Sequence, residues 1–193
     1  MTIEAVVFDL DNTLVSSDLN FKQLRVELCC PEDKDLLLHV DEQPCEHEKN
    51  RLNALILKHE LDDARVSNTM EGAVDLLRWL SHKGIRSGIV TRNCRQAATA
   101  KLKAHNLNVQ ELITREDFPA KPDPSSLYYL MEKWRIPRQR VLYVGDHHYD
   151  ILTAKNAGCK SCFISNNGVS QNSFDADLFY SSLKGLLDYL EQL

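Results

Sequence analysis

The stretch that most constrains this chain lies at its start. Ile3 to Phe8 is an apolar run broken only by Glu4, and it stops at Asp9-Leu10-Asp11-Asn12-Thr13-Leu14. A short apolar run bounded by polar residues predicts a buried strand. Asp9 and Asp11 stand at i and i+2, so in extended chain they point the same way. Loops just past the carboxyl ends of strands are where open α/β sheets bind ligands. Two carboxylates converging there are costly if buried unpaired. A divalent cation would neutralise them, and Mg²⁺ suits hard oxygen ligands and phosphate.

The rest of the chain alternates. After the first strand, helical stretches are predicted over Leu19–Cys29, Glu32–Val40 and Cys45–Leu61, followed by polar residues to Asn68. This is too long for a plain connection, so it predicts an inserted helical subdomain. From Met70 the pattern is helix, strand Ile85–Val90, helix 94–105, short strand Val109–Ile113, and helix Ser125–Trp134. Strand Arg140–Val144, helix Asp150–Ala157 and strand Lys160–Ile164 follow, then a turn at Asn166-Asn167-Gly168 and a last helix from Ser182 to Leu193. Strands alternating with helices predict an α/β fold, a parallel sheet with helices on both faces.

Three strand ends then carry polar residues on one sheet edge: Asp9 and Asp11, Thr91, and Asp146 followed by Asp150. Lys121, in the loop Phe118–Pro124, falls on the same side if the alternation holds. A nucleophile, a metal-binding set and donors for phosphate oxygens are what phosphoryl transfer requires.

These segments resemble the four motifs of the haloacid dehalogenase (HAD) superfamily over nearly the whole chain. Asp9-Leu10-Asp11-Asn12-Thr13 resembles motif I, Thr91 motif II, Lys121 motif III, and Gly145-Asp146 with Asp150 motif IV. The resemblance implies a Rossmann-like HAD core at residues 1–14 and 69–193, and a small all-helical C1 cap at 15–68, as in phosphoglycolate phosphatase-like members. It implies Asp9 as nucleophile, Asp11 as general acid/base, and Thr91 and Lys121 as catalytic groups holding the phosphoryl. Mg²⁺ would take the Asp9 carboxylate, the Asp11 backbone carbonyl and Asp146, with Asp150 supporting the metal shell or Lys121. Arg92 and Asn93, beside Thr91, are candidate substrate contacts. The expected activity is hydrolysis of a small phosphorylated metabolite through an aspartyl phosphate. A phosphomutase or phosphotransferase, or a retired HAD-fold binding protein, are the alternatives.

A net charge of −5 argues against a nucleic-acid or anionic-membrane partner, which wants a basic face. No apolar run approaches a membrane span, and the N-terminus shows no signal-peptide pattern. The 6 cysteines lack framework spacing, so reduced thiols and a cytoplasmic monomer or small homo-oligomer are expected. His39, Cys45 and His47 with Cys29 and Cys30 fit no zinc spacing. Lys22, Arg25, His47 and Arg51 are expected mainly on solvated helix faces.

Overall fold

A computed structural model of the chain describes residues 2–165 and 175–192. In chain order it runs β1 (Ala5–Phe8), α1 (Phe21–Glu27), α2 (Leu36–Asp41), α3 (Glu46–Val66), α4 (Ala73–His82), β2 (Arg86–Val90), α5 (Arg95–Ala104) and β3 (Glu111–Ile113). It continues through α6 (Ser125–Trp134), β4 (Val141–Gly145), α7 (His148–Ala157), β5 (Lys160–Ile164), β6 (Leu178–Tyr180) and α8 (Leu183–Leu190).

β1 is apolar throughout because both of its faces are covered. Val6 and Phe8 turn into a core shared with Leu76 and Leu80 of α4, Ala98 of α5 and Leu186 of α8. Ala5 and Val7 turn the other way, onto Leu127 and Leu130 of α6 and Ala154 and Ala157 of α7. Each fully buried leucine contributes about 1.5–3 kcal/mol. Gly72 caps α4 at φ +83°, and a Cβ there would lie 2.4 Å from the backbone nitrogen of Lys184, so only glycine lets α4 and α8 meet.

The strands are all parallel, in the order β3-β2-β1-β4-β5-β6. β1 is therefore central, at the point where the winding reverses. Phe8 stands beside Ile89 on one side and Val144 on the other. Asp9, Thr91 and Asp146 consequently emerge at one edge of the sheet.

Between β1 and α4 the chain makes a separate helical layer. Leu24, Leu28, Leu36, Val40, Leu52 and Ile56 of α1–α3 pack around an apolar cluster of their own. The chain leaves and re-enters this layer through adjacent segments. Ser16 N donates to Asn68 O at 2.7 Å, and Met70 N donates to Leu14 O at 3.0 Å.

Several elements depart from the sequence reading. α2 starts at Leu36 rather than Glu32, with Asp35 as its N-cap, and α4 starts at Ala73 rather than Met70, after Gly72. α3 runs on to Val66, because its late polar residues are not loop: Glu60 and Asp63 are buried. α7 starts at His148 with His147 as its N-cap, and Asp150 completes a capping box from inside the helix. β6 was not anticipated, since 3 residues at a sheet edge are too short for a periodicity signal. α8 ends at Leu190 rather than continuing to Leu193. The expected turn at Asn166–Gly168 lies outside the described residues. Among the described residues no helix is long and apolar enough to cross a membrane. All six cysteines are free thiols.

Candidate active site

The site begins where β1 ends. Asp9 N still donates to Val144 O at 2.8 Å, so the ladder extends one residue past the strand. The chain then turns sharply. Asn12 takes φ 55°, a conformation that asparagine tolerates better than most residues, and the amides of Leu14 and Val15 both reach Leu10 O, at 2.9 and 3.1 Å. This turn places Asp9 and Asp11 side by side.

Lys121 lies against the first of them. Its Nζ is 2.7 Å from Asp9 Oδ1 and 2.6 Å from Asp150 Oδ1. Asp150 is itself completely buried. Its Oδ2 accepts the His147 amide at 3.0 Å, and Oδ1 lies 3.2 Å from the Tyr143 hydroxyl. Gly145 makes room for this: a Cβ there would sit 2.2 Å from the Asp150 carboxyl carbon. Thr13 Oγ1 donates to Asp146 Oδ1 at 3.3 Å.

Asp9, Asp146 and Asp150 each bring a carboxylate oxygen within 4.8 Å of the others. Burial pushes Asp146 up to about 8, and the Asp9 and Asp150 charges add to the rise. Burial also raises Asp9, against the pull of Lys121. Burial alone would lower the Lys121 ammonium, but Asp150 and Asp9 more than reverse this and hold it charged. When all three are ionised, three carboxylates against one ammonium leave an excess of two negative charges, a state that burial disfavours and a divalent cation of hard character would compensate. Both Asp150 oxygens are already engaged, so Asp9 and Asp146 are the carboxylates able to hold it.

Asp11 has a different set of partners. Its Oδ2 accepts Asn93 Nδ2 at 2.9 Å, and its Oδ1 pairs with Lys101 Nζ. Lys101 also lies 2.6 Å from Asp63 Oδ2 of α3. Burial raises Asp11 above the usual carboxylate range, opposed by Lys101. Thr91 is buried, and its Oγ1 accepts the Asn93 amide at 3.1 Å. Asn93 is thus turned toward Asp11. Arg92 pairs with Asp35, the N-cap of α2, and lies 5.2 Å from the centroid of the Tyr149 ring.

All eight residues singled out from the sequence (Asp9, Asp11, Thr91, Arg92, Asn93, Lys121, Asp146 and Asp150) line a single cavity of about 540 Å³. Leu19, Leu24, Leu36 and Ile56 of the helical layer close its other side. Arg25 also lines it, with its guanidinium donating to Pro31 O and Lys34 O at 2.7 Å. His147 sits at the rim, where burial lowers it to about 4, so it is neutral at neutral pH. No cation-binding group is formed by His39, Cys45 and His47 among the described residues.

Sequence reasoning missed Lys101, Asp63, Glu60, Arg115 and Tyr143. Arg115 pairs with Glu60, a second buried contact between α3 and the sheet edge. The signal was present: Lys101 shares the buried stripe of α5 with Ala97, Ala98 and Leu102, and Glu60 and Asp63 continue the Leu52–Ile56 stripe of α3.

The family model described as haloacid dehalogenase-like hydrolase matches residues 22–164. An uncharacterized hydrolase of Saccharomyces cerevisiae is 32% identical, over 86% of this chain and 78% of its own length. A phosphoglycolate phosphatase of Vibrio vulnificus is 32% identical over 64% of this chain and 57% of its own. Among solved structures, a hydrolase from Pseudomonas syringae superposes with a TM-score of 0.83 at 22% identity, covering 98% of this chain and 99% of that one.

Proposed function

This chain belongs to the haloacid dehalogenase-like hydrolases, and on that premise we propose that it is a Mg²⁺-dependent phosphatase of small phosphorylated metabolites, working through an aspartyl phosphate. The observation that carries this reading is the buried Lys121 held between Asp9 and Asp150, with Asp146 beside them. Buried charged groups are costly, and a site that manages concentrated negative charge accounts for their gathering here.

Asp9 is the nucleophile. Its carboxylate attacks phosphorus in line, an Asp9 O–P bond forms, and the P–O bond to the leaving group breaks with its electron pair on the departing oxygen. Asp11, protonated, gives that oxygen its proton, then takes one from the water that attacks the aspartyl phosphate and releases inorganic phosphate. Lys121 and Thr91 hold the equatorial oxygens where charge develops. Asp9, Asp146 and the Asp11 carbonyl would hold Mg²⁺, which would offset the repulsion between Asp9 and a phosphate dianion. Asp150 orients Lys121. Asn93 steadies Asp11, while Arg92 lies where a leaving group would pass.

Residues 15–68 act as the cap and 1–14 with 69–193 as the catalytic core. The helical layer roofs the cavity, so leaving-group choice belongs to it. The cavity suits a small metabolite. The Vibrio relative's name makes phosphoglycolate a first candidate, beside nucleoside monophosphates, sugar phosphates and pyridoxal phosphate. Phosphate release from such a panel, with Mg²⁺ and with excess chelator, tests the reading. Release unaffected by chelator, or none from any substrate, would overturn it.

A further inference from the structure

Lys101 is completely shielded from solvent, yet it belongs to none of the groups that handle phosphate. It projects from α5, and its Nζ touches two carboxylates of different origin. Asp11 is the proposed acid/base of the core, and Asp63 lies on α3 of the helical layer. Asp63 is in turn tied to the linker by which the chain enters that layer. Ser17 Oγ donates to Asp63 Oδ2 at 2.8 Å, and the Asp18 amide donates to Asp63 Oδ1 at 2.8 Å. The contacts form an unbroken path from the acid/base through a buried ammonium to the base of the insert.

A buried lysine is expensive to keep, because its charge must be compensated. If Lys101 served only to fasten α3 to α5, apolar packing would do so at less cost. Apolar packing could not hold the Asp11 carboxylate, which must stand at a defined place to hand a proton to the leaving oxygen. Two directional contacts, from Asn93 Nδ2 and Lys101 Nζ, leave that carboxylate little rotational freedom.

We propose that Lys101 is a positioning residue that aims the Asp11 carboxylate for proton transfer and ties that aim to the seating of the helical insert through Asp63. This rests on the phosphatase reading above and adds to it a residue outside the four motifs. It predicts an effect that depends on the leaving group. An alkoxide leaving from an alkyl phosphomonoester needs the proton from Asp11, whereas p-nitrophenolate leaves without it.

The test is Lys101→Met, which keeps the length of the side chain and removes the charge. The pre-steady-state rate of leaving-group release from the best alkyl phosphomonoester should fall about 100-fold, within the usual range for loss of general-acid help, while the burst of p-nitrophenolate from p-nitrophenyl phosphate changes little. Breakdown of the aspartyl phosphate, where Asp11 is the base, should slow equally for both. In an Asp11→Asn background the same substitution should cost nothing further on the alkyl substrate, since the two act as a unit. Equal losses in the release step on both substrates, or additive losses in the double variant, would overturn the proposal. Should Lys101→Met fail to fold, Asp63→Asn decides. It should give a smaller alkyl-selective loss and faster hydrogen exchange at the Asp18 amide, and unaltered substrate ratio and exchange would reject the tie to the insert. If wild-type protein releases phosphate and Asp9→Asn does not, such a negative result counts against Lys101 alone. If wild-type protein releases none, the parent reading itself falls.

Discussion

Two buried lysines serve the two aspartates of the first loop, and they do so differently. Lys121 joins Asp9 to Asp150, so both of its partners belong to the sheet and to the helix after β4. Lys101 joins Asp11 to Asp63, so one partner belongs to the sheet edge and the other to the helical layer. The proposed nucleophile is thereby fixed within the sheet and the helix that follows β4. The proposed acid/base is fixed against a part that has its own apolar cluster and is joined to the sheet by adjacent linker segments. Attack on phosphorus is common to every substrate, but the proton requirement varies with the leaving group, which the helical layer faces.

The largest effect should come from Asp9→Asn. It preserves shape and removes the nucleophile, so turnover should drop to background on alkyl and p-nitrophenyl substrates alike while the circular dichroism spectrum is retained. More than trace hydrolysis in a preparation free of contaminating phosphatase would remove Asp9 from its role.

Next comes Lys121→Met. It leaves Asp9 and Asp150 uncompensated, and breaking a buried pair from one side costs about 3–5 kcal/mol. We expect a melting point lower by roughly 2–4 °C for each kcal/mol lost, and near-complete loss of activity whatever the leaving group. If Lys121→Met instead spared the burst of p-nitrophenolate from p-nitrophenyl phosphate, as expected of Lys101→Met, the contrast between the two lysines would collapse.

A smaller effect separates the carboxylate clusters by metal. If Asp9 and Asp146 of the folded protein hold Mg²⁺ as proposed, the ion should raise the melting temperature, by an amount equivalent to about 2.7 kcal/mol at a hundred times its Kd. Asp146→Ala should abolish that rise, whereas Asp63→Asn should leave it intact. A rise surviving in Asp146→Ala would place the cation elsewhere.

The smallest effect concerns thiols. Cys29 and Cys45 are exposed, and Cys30, Cys94, Cys159 and Cys162 are buried. Burial also pushes Cys94 up to about 11 and Cys159 up to about 12, so little thiolate is present at neutral pH. Timed alkylation followed by peptide mass mapping should label Cys29 and Cys45 first, then Cys30 in the small helical layer, and the three core thiols last. Early labelling of Cys162 would mean that the sheet opens as readily as the insert.

Much of the site was legible because its residues sit at strand ends. An apolar run such as Val141–Val144 can only be a buried strand here, and parallel strands bring their carboxyl ends to one edge, so Asp9, Thr91 and Asp146 had to meet. What was read less well depended on which side of a helix a charge occupies. Asp62 to Asn68 is polar in composition, and polar composition suggests solvent, yet Asp63 turns inward because Lys101 awaits it. Asp150 stood at the predicted start of a helix, but the helix begins at His148 behind His147, and the Asp150 carboxylate is held by Lys121, Tyr143 and the His147 amide.

By itself, the order of apolar runs and polar breaks determined the alternating α/β architecture, the interruption after β1 and the set of residues along the catalytic edge. These follow from local rules: burial demands apolar side chains, and backbone hydrogen bonding admits few arrangements for them. Only the tertiary structure decided which acid pairs with which lysine. Lys121 stands in a loop and Lys101 within α5, but neither position by itself shows that Lys101 spans Asp11 and Asp63. That choice depends on how α3 and α5 pack across a long sequence separation, where a buried charge is tolerated only if its partner arrives from elsewhere in the chain.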